Sequence, residues 1–189
     1  MSEIVSTFLK KAVWIALITF VIRCLISISD IRIGNAGWYD LYGWIGEAAT
    51  VTTIIAVVYE KYLWRFDKFS KVPVVLGKYH GFLYSTYDGT RRNADLEIKQ
   101  TLLSISVKMK TIESRSNTIA GKIADVSSEK QIIYTYLNNP LEKVREHSEI
   151  HYGTAVLVIE ENGELSGRYF TDRKTTGDLS FVKEDIRSH

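Results

Sequence analysis

Arginine beside tyrosine is the pairing in this sequence with the most chemical content. Arg91, Arg92, Arg115, Arg168 and Arg173 fall in its second half, among Tyr79, Tyr84, Tyr134, Tyr136 and Tyr169. A guanidinium fork matches two phosphate oxygens, and a phenol ring offers a face on which a base stacks. Arg115, Arg168 and Arg173 also stand near Ser114, Ser116, Thr171, Thr175 and Thr176, whose hydroxyls can complete a phosphate site. The competing reading makes the tyrosines core and the arginines a solvated face. For any one residue that reading is the stronger, and it is the grouping of three arginines that speaks for an anion site. Patterns of catalysis are absent. His80, His147 and His151 lack metal-ligand spacing, and no G-x-S-x-G, H-E-x-x-H or phosphate-binding glycine loop occurs. The expectation is a binding protein rather than an enzyme, with no metal and no cofactor.

Charge narrows what is bound. Residues 1–71 carry eight Lys/Arg and six Asp/Glu, and the remaining sixteen of each lie in 72–189. A formally neutral second part does not suit duplex nucleic acid, which calls for a basic surface. A local cluster can still hold a small anion. The single cysteine, Cys24, has no partner in the chain, so no internal disulfide forms and nothing points to an oxidising compartment.

The residues of interest sit on short alternating strands. Asp88-Gly89 and Asn162-Gly163 are hairpin dipeptides; Ser127-Ser128 and Thr176-Gly177-Asp178 are weaker turn signals. These divide the region into strands near 77–86, 94–111, 114–125, 130–137, 151–160, 164–172 and 178–184. In the long second strand the inward phase changes from Leu96, Ile98 and Gln100 to Leu103, Ile105, Val107 and Met109, which predicts a bulge or bend. Consecutive strands with short turns favour an up-and-down antiparallel barrel, with a sandwich as the alternative. After Asn138, Asn139 is a candidate N-cap and Pro140 a candidate first helical residue, so a short helix or a solvated connector follows.

The first part obeys a different pattern. Two apolar segments, Ala12 to Ser29 and about Leu41 to Leu63, are each close to the ~20 residues that cross a bilayer. The first is long for a signal peptide, no small-x-small cleavage site follows it, and a second span comes at once. Lys10 and Lys11 precede the hairpin, and Lys61, Arg65, Lys68 and Lys71 follow it, whereas the loop from Asp30 to Asp40 holds only Arg32. The positive-inside rule places both ends in the cytoplasm. Trp38, Tyr39, Tyr42 and Trp44 suit the outer interface, and Trp14, Tyr59, Tyr62 and Trp64 the inner one. Arg23 and Glu47 lie at matched depth, ~9 Å inside the outer edge at the helical rise. They pair within or between chains, or else Arg23 snorkels and Glu47 stays near water. Gly43, Gly46, Thr50 and Thr53 share one helical face beside Glu47, a stripe of small residues suited to self-association. Domain limits are expected at 1–71 for the transmembrane hairpin and 72–189 for the β-domain.

The order of these parts, with the phrases VPVVLGKYHGFLYSTYDG, LEIKQTLLSISVKMKTIESRSNTIAGKI, IIYTYLNNP, HYGTAVLVI and LSGRYFTDRKTTGDLSF, resembles a known family. It is similar to the two-transmembrane β-barrel effectors of bacterial CBASS anti-phage systems, the CD-NTase-associated protein 15 family. The resemblance covers most of the chain and the hairpin matches by type. It implies a lipocalin-like barrel of about eight strands. Seven are counted above, so one is missing or hidden in the long second segment. It also implies that the barrel senses a cyclic dinucleotide made by a partner nucleotidyltransferase. Ligand binding would then drive oligomerisation, disruption of the bacterial inner membrane and death of the infected cell. On that basis the ligand site is expected at Arg115, Arg168, Arg173, Ser116, Thr171 and Thr176, with Tyr79 and Tyr136 as aromatic surfaces. Arg23, Glu47, Gly43, Gly46, Thr50 and Thr53 are expected to serve membrane assembly. Gly77-Lys78-Tyr79 also matches the opening phrase of lipocalins, in which the aromatic closes the barrel floor. The alternative function is a membrane-tethered carrier of a lipophilic ligand, which needs an open apolar cavity. A purely structural adaptor is a third possibility.

Overall fold

A computed structural model describes residues 3–27, 37–146 and 148–184. The chain divides into two compact units, Met1–Ser70 and Lys71–His189. The expected interhelical loop, with Arg32 and the end of the first span at Ser29, lies largely outside the described residues, as does His147.

In the first unit, α1 (Glu3–Ile26) and α2 (Trp38–Lys61) each run 24 residues. At ~1.5 Å per residue either is long enough for a ~30 Å hydrocarbon core. Among the described residues α2 is long and apolar enough to cross a membrane; α1 equals it in length but carries Lys10, Lys11 and Arg23. Both helices expose large apolar side chains, among them Leu17, Val21 and Leu25 on α1 and Ile45, Ile54 and Val57 on α2. Such outward faces suit lipid rather than water.

The two helices pack antiparallel through polar contacts at both ends. Arg23 Nε donates to Glu47 Oε2 at 2.8 Å, and its Nη1 donates to Ser27 Oγ at 2.6 Å. The pair at matched depth thus forms within the chain. At the other end Lys11 Nζ donates to Tyr59 Oη at 2.8 Å, and both donate to Asp67 just past a short 3-10 turn, Leu63–Phe66. The Lys11 ammonium, then the Tyr59 hydroxyl, hold the Asp67 carboxyl down at about 2. Gly43, Gly46, Thr50 and Thr53 are exposed, away from the face that Leu41, Trp44, Ala48 and Thr52 turn inward. A Cβ added at Gly43 or Gly46 would meet nothing within 4 Å.

The second unit is a closed barrel of eight antiparallel strands, each paired with its neighbours in sequence and the last with the first. The strands are β1 (Gly77–Ser85), β2 (Arg91–Gln100), β3 (Ile105–Thr111), β4 (Ser114–Val126), β5 (Glu129–Pro140), β6 (His151–Ile159), β7 (Leu165–Thr171) and β8 (Thr176–Lys183). Closure is made by the β1–β8 pairing, from Tyr79↔Lys183 to Ser85↔Gly177. Alternation is strict where the core is built: Ala94, Leu96 and Ile98 on β2 and Ile105, Val107 and Met109 on β3 point inward and are buried. Tyr79, Tyr134, Ile132, Leu157, Leu165 and Phe181 fill the interior at 0–1 % exposure. Burial of each stabilises by roughly 1.5–3 kcal/mol.

Three expectations need correction. The long second segment is two strands, not one bent strand. Thr101 N donates to Ser104 O at 2.9 Å and Ser104 N to Thr101 Oγ1 at 3.1 Å, so local bonds of a tight turn replace the ladder there and supply the eighth strand. The bulge falls instead on β4, between Thr118 and Ala120, where the Thr118 hydroxyl bonds both Val107 N and Val107 O at 2.9 and 2.8 Å. Of the short helix and the connector left open after Asn139, the helix does not form. β5 runs through Asn139 to Pro140, and a three-residue 3-10 turn, Glu142–Val144, follows. Proline ends a ladder as readily as it begins a helix. Thr176-Gly177-Asp178, read as a turn, opens β8, and the turn is Asp172 to Thr175 with Lys174 at φ 60°.

Candidate ligand-binding site

The two ends of the barrel differ in chemistry. At one end Tyr79 donates its hydroxyl to Val75 O at 2.9 Å, and Gln100 ties down the lead-in segment through Pro73 O and Val75 N, each at 2.8 Å. That end is closed by protein. At the other end the inward-facing positions turn from apolar to polar within one alternation: Leu83 to Ser85 on β1, Met109 to Thr111 on β3, Tyr136 to Asn138 on β5. These side chains, with Arg92, Glu113, Ser114, Ser148, His151, Tyr169, Arg173 and Thr175, line a cavity of about 140 Å³ at the mouth; Tyr87 lines its rim and is 68 % exposed.

Two arginines reach this mouth and they are not equivalent. Arg92 takes an inward position at the start of β2. Its Nε donates to Glu113 Oε2 at 2.8 Å and its Nη1 to Asp88 Oδ1 at 3.1 Å. Two carboxylates neutralise it, and the guanidinium in turn holds the Asp88 carboxyl well below the usual carboxylate range. Arg173, in the β7–β8 turn, has no carboxylate within ion-pair distance among the described residues. Its Nη1 reaches Ser148 Oγ at 3.3 Å and Glu149 O at 3.4 Å, both long. His151 Nδ1 is 2.9 Å from Glu149 O and 3.5 Å from Arg173 Nη1. The shorter contact makes Nδ1 the donor to Glu149, which leaves it no lone pair for the arginine. Arg173 is therefore a cation at the mouth with spare donors.

The aromatic walls are set by glycines. Tyr136 lies opposite Gly153 and Tyr169 opposite Gly177. A Cβ at Gly153 would stand 2.4 Å from the Tyr136 ring, and one at Gly177 2.5 Å from the Tyr169 ring. Each ring lies over bare backbone, a position that no other residue type leaves open. Burial pushes the Tyr136 hydroxyl up well beyond its ordinary value, so it remains a donor. Tyr134, one inward position deeper, has its ring centroid 5.8 Å from that of Tyr136. Its hydroxyl and the Ser116 hydroxyl are buried without a hydrogen-bond partner.

Of the residues expected at the site, Arg173 and Tyr136 line the mouth. Thr171 is beside it, its hydroxyl 2.7 Å from that of Thr175. Ser116 is buried in register between Met109 and Asn138, two lining residues. The barrel does not bring the others there. Arg115 and Arg168 occupy the outward phase of β4 and β7, because each is one residue from an inward position. Thr176 is outward on β8, bonded to Thr86. Tyr79 closes the far end. The reading of the residues alone named Arg92 among the arginines but left it out of the site, missed Asn138 and Ser148, and set His151 aside. The signal for Asn138 was the continuation of the Tyr134–Tyr136 phase by one more step.

The interior of the closed barrel is filled by side chains, and its polar mouth, with Arg173 at it, is the candidate ligand site. Residues 70–183 match the family described as Cap15, cyclic dinucleotide receptor domain. The whole chain is 30% identical over 187 residues to CD-NTase-associated protein 15 of Staphylococcus schleiferi, covering 97% of this chain and 99% of that one. The chain belongs to the Cap15 family, and its barrel is that family's cyclic dinucleotide receptor domain.

Proposed function

We propose that this protein is a membrane-bound receptor-effector. Its barrel mouth binds a cyclic dinucleotide, and binding drives neighbouring chains to assemble and breach the bilayer. The observation that carries the reading is Arg173 at the mouth of a filled barrel, a guanidinium without a carboxylate, among hydroxyls and tyrosine rings. Such a group suits a phosphate diester of a ligand supplied by a cyclic-nucleotide synthase in the same cell. The name of the staphylococcal relative, which refers to association with a CD-NTase, supports that partnership. A carrier of lipophilic molecules is disfavoured, because the interior such a cargo would need is occupied by Tyr134, Phe181, Leu157 and Leu165.

The apolar outer faces of both helices support a two-span hairpin, and the basic residues at its ends support cytoplasmic termini. A cytoplasmic barrel meets a messenger made in the cytosol. The exposed stripe of Gly43, Gly46, Thr50 and Thr53 supports homo-oligomerisation in the membrane. The receptor-effector itself performs no chemistry on its ligand.

The test is calorimetry of the full chain in nanodiscs against a panel of cyclic dinucleotides, with dye release from proteoliposomes in parallel. Arg173→Ala is expected to weaken binding by ~1.5–3 kcal/mol, the range for a hydrogen bond to a charged group. Arg115→Ala and Arg168→Ala, on the outer wall, are expected to bind as the parent does. Unchanged affinity in the Arg173 variant would move the site away from this mouth.

A further inference from the structure

The mouth is smaller than its ligand. Ligand pockets that enclose a drug-sized molecule run to roughly 300–1,000 Å³, and this one has about 140 Å³. A cavity of about 150 Å³ accommodates a single benzene ring. A cyclic dinucleotide carries two bases, two sugars and two phosphates, so the mouth cannot enclose it whole. It has room for the leading edge of one base.

One lining residue is chemically ready for that edge. Asn138 is 9 % exposed and lines the cavity, and its carboxamide offers a donor beside an acceptor. That is the pattern with which asparagine grips the edge of a base in two places. Ser116, its register neighbour on β4, is buried and is not among the lining residues. Tyr136 and Tyr169 flank the same space as rings held over glycine, and Arg173 stands at its lip.

We infer that the mouth is a single-base pocket: the Asn138 carboxamide reads the edge of one base of the cyclic dinucleotide, while Arg173 holds an adjoining phosphate. The inference rests on the proposed ligand class and goes beyond it by naming the residue that selects the base. The second nucleotide remains outside, against the exposed ring of Tyr87.

The experiment uses the full chain in nanodiscs, with cyclic di-AMP and cyclic di-GMP as probes and calorimetry as the readout. Asn138→Asp replaces a donor–acceptor pair with acceptors alone. Guanine offers two adjacent donors, N1–H and N2–H, whereas the ring nitrogens of adenine accept. The affinity ratio of cyclic di-GMP to cyclic di-AMP is therefore expected to rise at least tenfold in this variant. Asn138→Ala removes both the donor and the acceptor, so affinity for the preferred probe is expected to fall about two- to tenfold, the equivalent of one neutral hydrogen bond. An unchanged ratio in Asn138→Asp overturns the inference; should that variant fail to fold, unchanged affinity in Asn138→Ala overturns it. If the parent binds neither these nor any other cyclic dinucleotide, the proposed function falls and the inference with it, a result distinct from either variant's.

Discussion

A charged side chain is worth what its neighbours leave unsatisfied. Arg92 and Arg173 face one cavity, but Asp88 and Glu113 occupy the first and, among the described residues, nothing of opposite charge pairs with the second. The same rule governs His80 on the outer wall of the barrel. Its Nδ1 is 2.7 Å from Asp95 Oδ1 and its Nε2 3.4 Å from Glu184 Oε2, and the Asp95 bond, then the weaker one to Glu184, raise its pKa above 6.5. A raised histidine adds stability below the unfolded value of about 6.5, and that contribution is lost as pH rises through the folded value. Being half exposed, the pair is screened and the effect on stability is small. NMR titration of the ring should give a midpoint above 6.5 that returns towards 6.5 in Asp95→Asn. An unshifted midpoint in the parent would mean that the pair does not persist in solution.

At the scale of strands, the period of two decides which residues meet. Arg115 and Arg168 looked equivalent to Arg173 in the sequence, but each is one step out of phase with the core. The turn that splits 94–111 was visible as a change of inward phase, yet phase alone does not distinguish a bulge from a tight hairpin. What settles it is Thr101 and Ser104 bonding each other instead of the ladder. Ser127-Ser128, both at positive φ (52° and 69°), and the Asn-Gly and Asp-Gly turns were legible because left-handed positions accept few residue types. The barrel was legible from these turns and from alternation. The mouth was not, because it depends on where each strand stops relative to its neighbour. The glycine opposite Tyr136 tests that register. Gly153→Ala would put a methyl where the ring lies, and is expected to cost about 1–3 kcal/mol by overpacking. Thermal melting reads the loss, and calorimetry should show weaker ligand binding as the ring leaves the wall. A Gly153→Ala variant as stable as the parent would mean that Tyr136 has another resting place.

For the whole molecule, the question is how an event in one unit becomes an event in the other. A ligand shifts assembly by its differential affinity for the assembled form and by nothing else. Under the proposed function the hairpin must therefore pack well enough to assemble when barrels gather, and not so well that it assembles unprompted. The stripe of Gly43, Gly46, Thr50 and Thr53 meets that demand, since the helix partner within the chain does not use it. Thr50 and Thr53 already bond the carbonyls of Gly46 and Ala49, at 2.9 and 2.8 Å, and add shape more than polarity. Because nothing lies near a Cβ at position 46, Gly46→Leu leaves the hairpin itself undisturbed. It is expected to keep ligand affinity while abolishing ligand-dependent crosslinking and dye release. Dye release at the parent's level from this variant would show that the stripe is not the assembly surface.

Because β8 pairs with β1, the sheet has no free edge, and an edge is what lets one β-protein recruit another by backbone pairing. The barrel then supplies no strand template to a neighbouring barrel, which leaves the hairpin stripe as the surface through which chains would assemble under the proposed function. A standing stock of this protein carries no hazard of edge-to-edge aggregation through its barrels, and the messenger would act by shifting the assembly equilibrium at whatever level of receptor the cell keeps.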